Sequence, residues 1–516
     1  MQFANDEIKL QISKTLDEKS KYSLPDLITQ TSDFLKPEAK SISVIMAAGH
    51  GKRIKSSLPK VMHAVWGIPS VLRVMKAVIG GIKSPNQIVV VGKRADSVVA
   101  FLGKKKYRRF AYQHEQKGTG HALQVAVKEV PEKFKGHLYV FPADMGLLDE
   151  HIVRQFCKAF EKSKLQMMML TGVYRGHPEE NYFGRIVRVP KRDYLQSLTP
   201  RENVGRVLKI MQVQDILAMK KPEVANFFYA GRRYDFTRQQ LLEIDEFDSG
   251  AFAFSYPCLK KCLGLVGSKN VQKEVYLTDL VEIFNRENFS VGSFSLEESE
   301  SLMGFNDKAV WRKIEDTYRR RYFQKLRNII DIEDAARFFI AESVIADLIK
   351  RDSAGEELNI FVGSGAYISE GVFLSKSVMI SSGCVLKGTI YLEEGVRLGP
   401  DVTITNLERQ KVVVKKNAVL EGSNTIKGDV IIGSKSFIGE GANITGSKQD
   451  PTNVGSGSII RGSCYIFGCR LDDRTIVESS ILVKKRVRRK LDAKGEVIAV
   501  RFVLPQPNGE EVLENE

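Results

Sequence analysis

Val362, Ile368, Leu374, Ile380, Leu386, Leu392, Leu398 and Ile404 recur at every sixth position, and Ile360, Ala366, Val372, Val378, Cys384, Ile390, Val396 and Val402 keep the same period two positions earlier. A six-residue repeat matches neither the 3.6-residue period of a helix nor the plain alternation of an ordinary strand. After a four-residue phase shift through "NLERQK" it resumes at Val414, Leu420, Ile426, Ile432, Ile438 and Ile444, with further hexads at Ile460 and Ile466 beyond a "SKQDPTNVGSG" loop. Glycine or polar residues separate the apolar pairs, so each hexad supplies one short strand that points an apolar side chain inward. Three hexads close a triangular coil, and the coils stack as a left-handed parallel β-helix, expected over residues 359–483. An antiparallel sandwich would have to produce so many in-phase pairs by chance.

The remaining residues of this 516-residue chain are too many for that one core. From Ser41 apolar runs such as "SISVIM", "QIVVVG" and "HLYVFPAD" alternate with amphipathic segments such as "PSVLRVMKAVIGGI" and "GHALQVAVKEV". That order predicts an α/β domain with a mainly parallel sheet covered on both faces, spanning 41–306. Residues 1–40 read as a helical extension, 307–358 as a charged helical connector, and 484–516 as a basic then polar tail.

Six scattered cysteines match neither a zinc pattern nor a disulfide framework, and reduced thiols are expected. No apolar run approaches a membrane span, and the first residues lack a signal peptide's basic flank and apolar middle, so the expected address is cytoplasmic, with no membrane partner. The formal net charge of +16 suits phosphorylated substrates as well as nucleic acid. The basic segment "VKKRVRRK" carries no interleaved aromatics for base stacking, which argues against a nucleic-acid partner there.

The segment "SVIMAAGHGKRIKSSLPKVMH", Ser43 to His63, gives the α/β domain its chemistry. Ligands of open α/β sheets bind beyond the carboxyl ends of the strands, where glycines let backbone N–H groups approach phosphate oxygens. Ala47, Ala48 and Gly49 occupy that place, followed by Arg53, Lys55 and Lys60. The spacing fits neither a P-loop nor G-x-G-x-x-G, and a plain glycine turn is the competing reading. Cations crowded beside the sheet's edge favour an anionic guest.

This segment resembles the L-A-A-G-x-G-T-R-M-x-S-x-L-P-K-V-x-H signature of sugar-1-phosphate nucleotidylyltransferases, above all bacterial N-acetylglucosamine-1-phosphate uridylyltransferases. "QHEQKGTGHALQVAV", "FPADMGLLD", "FGRI", "KEVYLTDLVE" and "GFNDKAVWRKIE" follow in that family's order. The resemblance covers roughly residues 41–480 and implies a Rossmann-like nucleotidyltransferase domain before the β-helix. It implies transfer of a uridylyl group from UTP to a sugar 1-phosphate, with release of pyrophosphate. Arg53 and Lys60 would clamp the triphosphate and stabilise the transition state; Asp144 and Asn306 would hold Mg²⁺. Gln113, Gly118 and Thr119 would hold uracil, Gly118 because a Cβ would keep the base from the backbone. The sugar phosphate would lie near Gly184, Tyr276 and Thr278, with Gln212 and Asp248 at two further contact positions. His63 and His121 are given no chemical role. A homotrimer formed through the β-helix is implied as well.

The chain departs from that pattern in places. Asp248 opens "DSG" where the family has Asn before Thr-Gly, Gln212 stands where an acidic sugar contact is expected, and Ala143 and Gly146 replace the glycine and proline beside the metal aspartate. The sugar is therefore less fixed than the nucleotide. Bifunctional relatives carry in the β-helix an acetyltransferase whose general base is a histidine, whereas all seven histidines here precede residue 178. That predicts no acetyl transfer. A second reading keeps the reaction with another nucleotide base or sugar 1-phosphate, and a third is a degenerate sugar-nucleotide sensor, opposed by the joint presence of Arg53, Lys60, Asp144 and Asn306.

Overall fold

The computed structural model describes residues 2–19, 22–49, 51, 53–220, 222–268 and 270–502. The chain forms two compact units, Met1–Glu315 and Asp316–Glu516.

The first unit begins with helices α1 (Gln2–Glu18) and α2 (Leu24–Thr31), as the extension's spacing predicts. Ser23 caps α2 by accepting from the Asp26 amide, satisfying one of the donors a helix start leaves open. These helices are not detached. Ala4, Ile8 and Ile12, four apart on one face of α1, join Leu27 in the apolar cluster that contains Leu58, Val61, Met62 and Ala64.

Strands β1 (Ser41–Met46), β2 (Gln87–Val91), β3 (Arg108–Tyr112) and β4 (His137–Pro142) form the parallel half of the sheet, with α3 (Ser70–Ile82), α4 (Ala95–Leu102) and α5 (Thr119–Val127) between them. Helix α6 (Glu150–Lys162) leads to β5 (Met167–Val173), β6 (Arg185–Arg188), β7 (Val207–Met211) and β8 (Glu246–Ser255). Helix α7 (Leu280–Arg286), β9 (Val291–Leu296) and the first turns of α8 (Lys308–Leu326) complete the unit. The order across the main sheet is β9-β5-β8-β4-β1-β2-β3, with β6 and β7 branching antiparallel from β8. Strand β8 runs antiparallel to both β4 and β5, so the sheet is mixed in its second half. The fully buried runs Ile42–Ile45 and Ile88–Val91 are covered on both faces, which is why they read as continuous apolar strings.

Among the described residues of the second unit the β-helix has three faces of eight, eight and seven strands, each neighbouring pair parallel. Identical positions stack coil upon coil: Ile404 over Ile426, Ile444 and Ile466, all fully buried. Both hexad series from the sequence point inward.

Two boundaries move. The stack begins before residue 359, because β10 (Asp331–Ile332) pairs with Phe361–Val362 and β11 (Phe339–Ile340) pairs with Tyr367–Ile368. Ile332 and Ile340 are eight residues apart, not six, so the repeat did not reveal them. The segment read as a helical connector thus holds two strands of a first coil, followed by α9 (Glu342–Ser353) where a third strand would come. At the other end the spacing tightens to five and six through Leu471, Val477, Leu482 and Val487. The stack therefore runs past 483, and the basic run contributes its last strand, Arg486–Val487, with Val487 turned inward. Beyond it the chain folds back, and Val500 and Phe502 pair with Ile476, Glu478 and Ile481. The rest of the expected polar tail, from residue 503, lies outside the described residues.

Candidate active site

The site grows from the carboxyl edge of the parallel strands. Met46 of β1 is in register with Pro142 of β4, and the ladder continues one step past both: the Ala47 amide donates to Val90 and the Ala143 amide to Met46. The loop after β1 and the turn carrying Asp144 therefore leave the sheet side by side. Ala47 and Ala48 are buried, while among the described residues a Cβ on Gly49 would meet nothing within 4 Å, which leaves its backbone open to the approach of a ligand. Gly51 takes the left-handed φ of +59°, and a Cβ there would lie 2.6 Å from Cβ of Lys60. The glycine turn is what lets the loop fold down on that lysine.

Lys60 opens a short 3₁₀ turn, Lys60–Met62, and its ammonium is the hub of the site. Nζ lies 2.5 Å from Asp144 Oδ2 and donates to Asn306 Oδ1 at 2.5 Å. The side chains of Lys60 and Asp144 are 10% and 17% exposed, which strengthens the pair relative to a surface ion pair. A Cβ on Gly304 would sit 3.0 Å from Asp144 Oδ2, so the "GFND" turn approaches the carboxylate as closely as backbone can. The two oxygens expected to hold a metal thus converge on one cation, each 2.5 Å from it and so no more than twice that apart. A carboxylate and an amide oxygen are hard donors that suit a divalent cation whose other ligands are phosphate and water. Among the described residues no group of three or more His, Cys, Asp or Glu is placed to hold a metal ion. Arg53 is exposed and makes no ion pair among the described residues; it is not brought onto Asp144 or Asn306.

Gln113 is buried, and its Nε2 donates to the Gly118 carbonyl at 3.0 Å and lies 3.2 Å from His121 Nδ1. Gly118, at φ +103°, also has a steric reason that the sequence does not show. A Cβ there would strike the Val275 carbonyl oxygen at 2.6 Å, so the glycine is demanded by the 274–276 segment. That segment is stitched to the loop: the Val275 amide donates to Lys117, the Gly120 amide to Val275, and the Leu277 amide to Thr119 Oγ1 at 3.1 Å. Gln116 Nε2 donates to the Ala48 carbonyl at 3.2 Å, joining this loop to the glycine turn.

The expected sugar positions form a second cluster. Gln212 Nε2 donates to Thr278 Oγ1 at 3.3 Å, a Cβ on Gly184 would lie 3.2 Å from that same nitrogen, and the Asp248 amide donates to the Gly184 carbonyl at 2.9 Å. Burial pushes the Asp248 carboxyl up to about 7, against a single opposing hydrogen bond from the Gly250 amide. The Tyr276 hydroxyl is buried without a hydrogen-bond partner among the described residues, and burial raises its pKa, with Asp215, Glu274 and Asp279 adding to the effect. An orphaned donor in a folded protein marks a place where a ligand or water completes the network.

Sequence reading missed the supports of the Lys60 segment. Trp311 Nε1 donates to the Ala64 carbonyl at 2.8 Å, and the Trp66 amide donates to Glu315 Oε1 at 2.6 Å. Trp311 lies inside the quoted "GFNDKAVWRKIE" and could have been singled out there. His63 packs edge-on against Trp311, and burial lowers its pKa to about 4, with Lys9 and Lys308 contributing.

A family model described as the MobA-like NTP transferase domain matches residues 43–215, a span that holds the glycine turn, Lys60, Asp144 and Gln212. Over that span the first unit is similar to nucleotidyltransferase domains, and a β-helix unit follows it here. At the level of particular proteins it is similar to the "Bifunctional protein GlmU" of Carboxydothermus hydrogenoformans, 28% identical over 425 residues, covering 78% of this chain and 79% of the relative. The "Bifunctional protein GlmU" of Streptococcus pyogenes serotype M18 is 27% identical over 467 residues, covering 86% and 93%. The resemblance carried by the motifs thus holds along most of the chain. Among solved structures, a putative glucose-1-phosphate thymidylyltransferase from Bacillus anthracis overlaps 54% of this chain and 94% of its own at 14% identity, with a TM-score of 0.36. Among the described residues no helix is long and apolar enough to cross a membrane.

Proposed function

We propose that the first unit is a Mg²⁺-dependent uridylyltransferase that joins UTP and a sugar 1-phosphate, N-acetylglucosamine 1-phosphate in the first instance, into a UDP-sugar and pyrophosphate. A phosphate oxygen of the sugar 1-phosphate attacks the α-phosphorus of UTP. The bond from that phosphorus to the bridging oxygen breaks, and its electron pair leaves with pyrophosphate. Nucleotidyl transfer needs no nucleophilic side chain, so the protein contributes placement and charge. The observation that carries the reading is the convergence of Asp144, Asn306 and Lys60 on one point at the sheet's edge.

Asp144 and Asn306 would hold Mg²⁺, which, when bound, neutralises charge on the phosphates. Lys60 shares those two oxygens with any such cation, so its ammonium turns to the triphosphate when they are occupied. Arg53, free of ion pairs among the described residues and carried on the same loop, is the second phosphate clamp. Ala47, Ala48 and Gly49 offer backbone to the nucleotide; Gln113, Gly118 and Thr119 frame the base; Gly184, Gln212, Asp248, Tyr276 and Thr278 line the sugar side.

The buried Asp248 carboxyl and the uncharged Gln212 support a second reading, in which the reaction is kept and the preferred sugar differs. In the second unit the absence of any histidine beyond residue 177 supports scaffolding, with trimer assembly, over acetyl transfer. Pyrophosphate release across a panel of nucleoside triphosphates and sugar 1-phosphates tests these readings. UTP with N-acetylglucosamine 1-phosphate as the best pair supports the first, another best pair the second, and no turnover with any pair rejects both. Rapid thiol release from acetyl-CoA with glucosamine 1-phosphate would overturn the scaffolding role.

A further inference from the structure

The backbone of Ala64 is gripped from two directions. Its carbonyl accepts from Trp311 Nε1 at 2.8 Å, and its amide donates to Asn5 Oδ1 at 2.9 Å. Asn5 is 6% exposed and sits on α1, in the segment that the motif resemblance does not reach. On the Trp311 side, α8 starts two residues after Asn306, and Asp307 fixes its first turn by accepting from the Val310 amide at 2.9 Å. On the other side, Ala64 lies four residues after Lys60, beyond a 3₁₀ turn whose Val61 and Met62 are buried in the same apolar cluster as Ala4, Ile8, Ile12 and Leu27. The next peptide group, between Val65 and Trp66, is held by other partners: Arg73 Nε donates to the Val65 carbonyl and Glu315 accepts from the Trp66 amide, each at 2.6 Å. Ala64 is therefore a crossbar between the strip that carries Lys60 and the strip that carries Asn306, and Asn5 fixes it from the arm.

We infer that Asn5 is a positioning residue for nucleotidyl transfer and that the amino-terminal arm is part of the catalytic apparatus. Lys60 must serve a phosphate whose place is set by Asp144 and Asn306, and a shift of its backbone by a fraction of its hydrogen-bond length misaligns the ammonium for the transition state. Asn5 acts on that alignment through one short, buried, specific bond, which the apolar packing of α1 holds in place but does not replace. The effect falls on turnover more than on binding, because among the described residues the hydrogen bonds of Gln113 and Gln212 run to partners other than Asn5. This inference rests on the proposed reaction.

The test uses the full-length chain with the best substrate pair from the panel and three variants. Asn5→Ala removes the acceptor, Asn5→Leu removes it at similar volume and serves if the alanine variant does not fold, and Asn5→Asp keeps an acceptor oxygen. The expected result is a kcat about tenfold lower in the acceptor-less variants with both KM values within about twofold of wild type. Hydrogen exchange should be faster across residues 58–66, and both properties should return toward wild type in Asn5→Asp. A kcat within twofold of wild type in the acceptor-less variants overturns the inference, as does an equal loss in Asn5→Asp. If wild type turns over no pair, the proposed reaction fails. The bracing is then judged by exchange alone, and unchanged exchange over 58–66 in Asn5→Leu removes it too.

Discussion

In the β-helix each inward aliphatic is supported by its counterparts one coil above and below, so Ile404, Ile426 and Ile444 are near-equivalents and each contact repeats a neighbour's. At the carboxyl edge of the first unit nothing repeats. Lys60, Asp144 and Asn306 come from three distant segments and meet at single atoms. Redundancy spreads the consequences of damage through stability, whereas singularity concentrates them in chemistry.

The sharpest way to break that contrast is Asp144→Ala. It should lower pyrophosphate release by at least about a thousandfold while leaving the melting transition in place; activity within tenfold of wild type would remove Asp144 from the metal and charge assignment. Next in size, Ile404→Ala opens a cavity in one coil and should cost about 3 kcal/mol of stability in denaturant unfolding of the second unit. Turnover measured below that transition should stay within about twofold of wild type, and a large loss would show that the two units do not divide their labour in this way.

Smaller effects sharpen the contrast within the first unit. The folded state holds the Asp248 proton up to about pH 7, whereas the unfolded chain releases it near 3.8, so stability falls as pH rises through that window and the penalty is complete above it. Asp248→Asn should therefore raise stability by on the order of 2 kcal/mol at pH 8, with the gain vanishing toward pH 4, read as melting temperature against pH. His63 works in the other direction. Its folded pKa of about 4 lies below the ordinary 6.5, so its contribution is whole above pH 6.5 and is lost as pH falls toward 4. His63→Gln should flatten that acid limb by about 1 kcal/mol, seen as a smaller drop in melting temperature between pH 7 and pH 5.

The same contrast governs what could be read from sequence. The hexads were legible because their physical cause, an inward side chain per short strand, is local and periodic; the stack was lost where spacing changed to eight at Ile332 and Ile340 and to five near Leu471. The parallel half of the α/β sheet was legible from its fully apolar strands, while the antiparallel β8 carries no signal that distinguishes its direction. In the site, long motifs placed Lys60, Asp144 and Asn306 in one neighbourhood, and the structure brings them onto a shared point. The contact that demands a glycine at Gly118 was not legible, because its neighbour, Val275, lies far along the chain. Asn5 carried no signal at all: an asparagine in a polar helix looks solvated until Ala64 is folded against it.

The returning segment at the end of the second unit has a consequence for how this protein meets copies of itself. Val500 accepts from the Glu478 amide and donates to Ile476, while Phe502 accepts from the Ile481 amide and donates to Ser480 Oγ, so donors and acceptors on two sides of the terminal triangle are already taken. A chain cut at Lys490 would present those groups bare, and bare ladder edges recruit other chains. Such a truncation should convert a discrete particle into end-to-end filaments, with light scattering rising at concentrations where the intact protein stays clear.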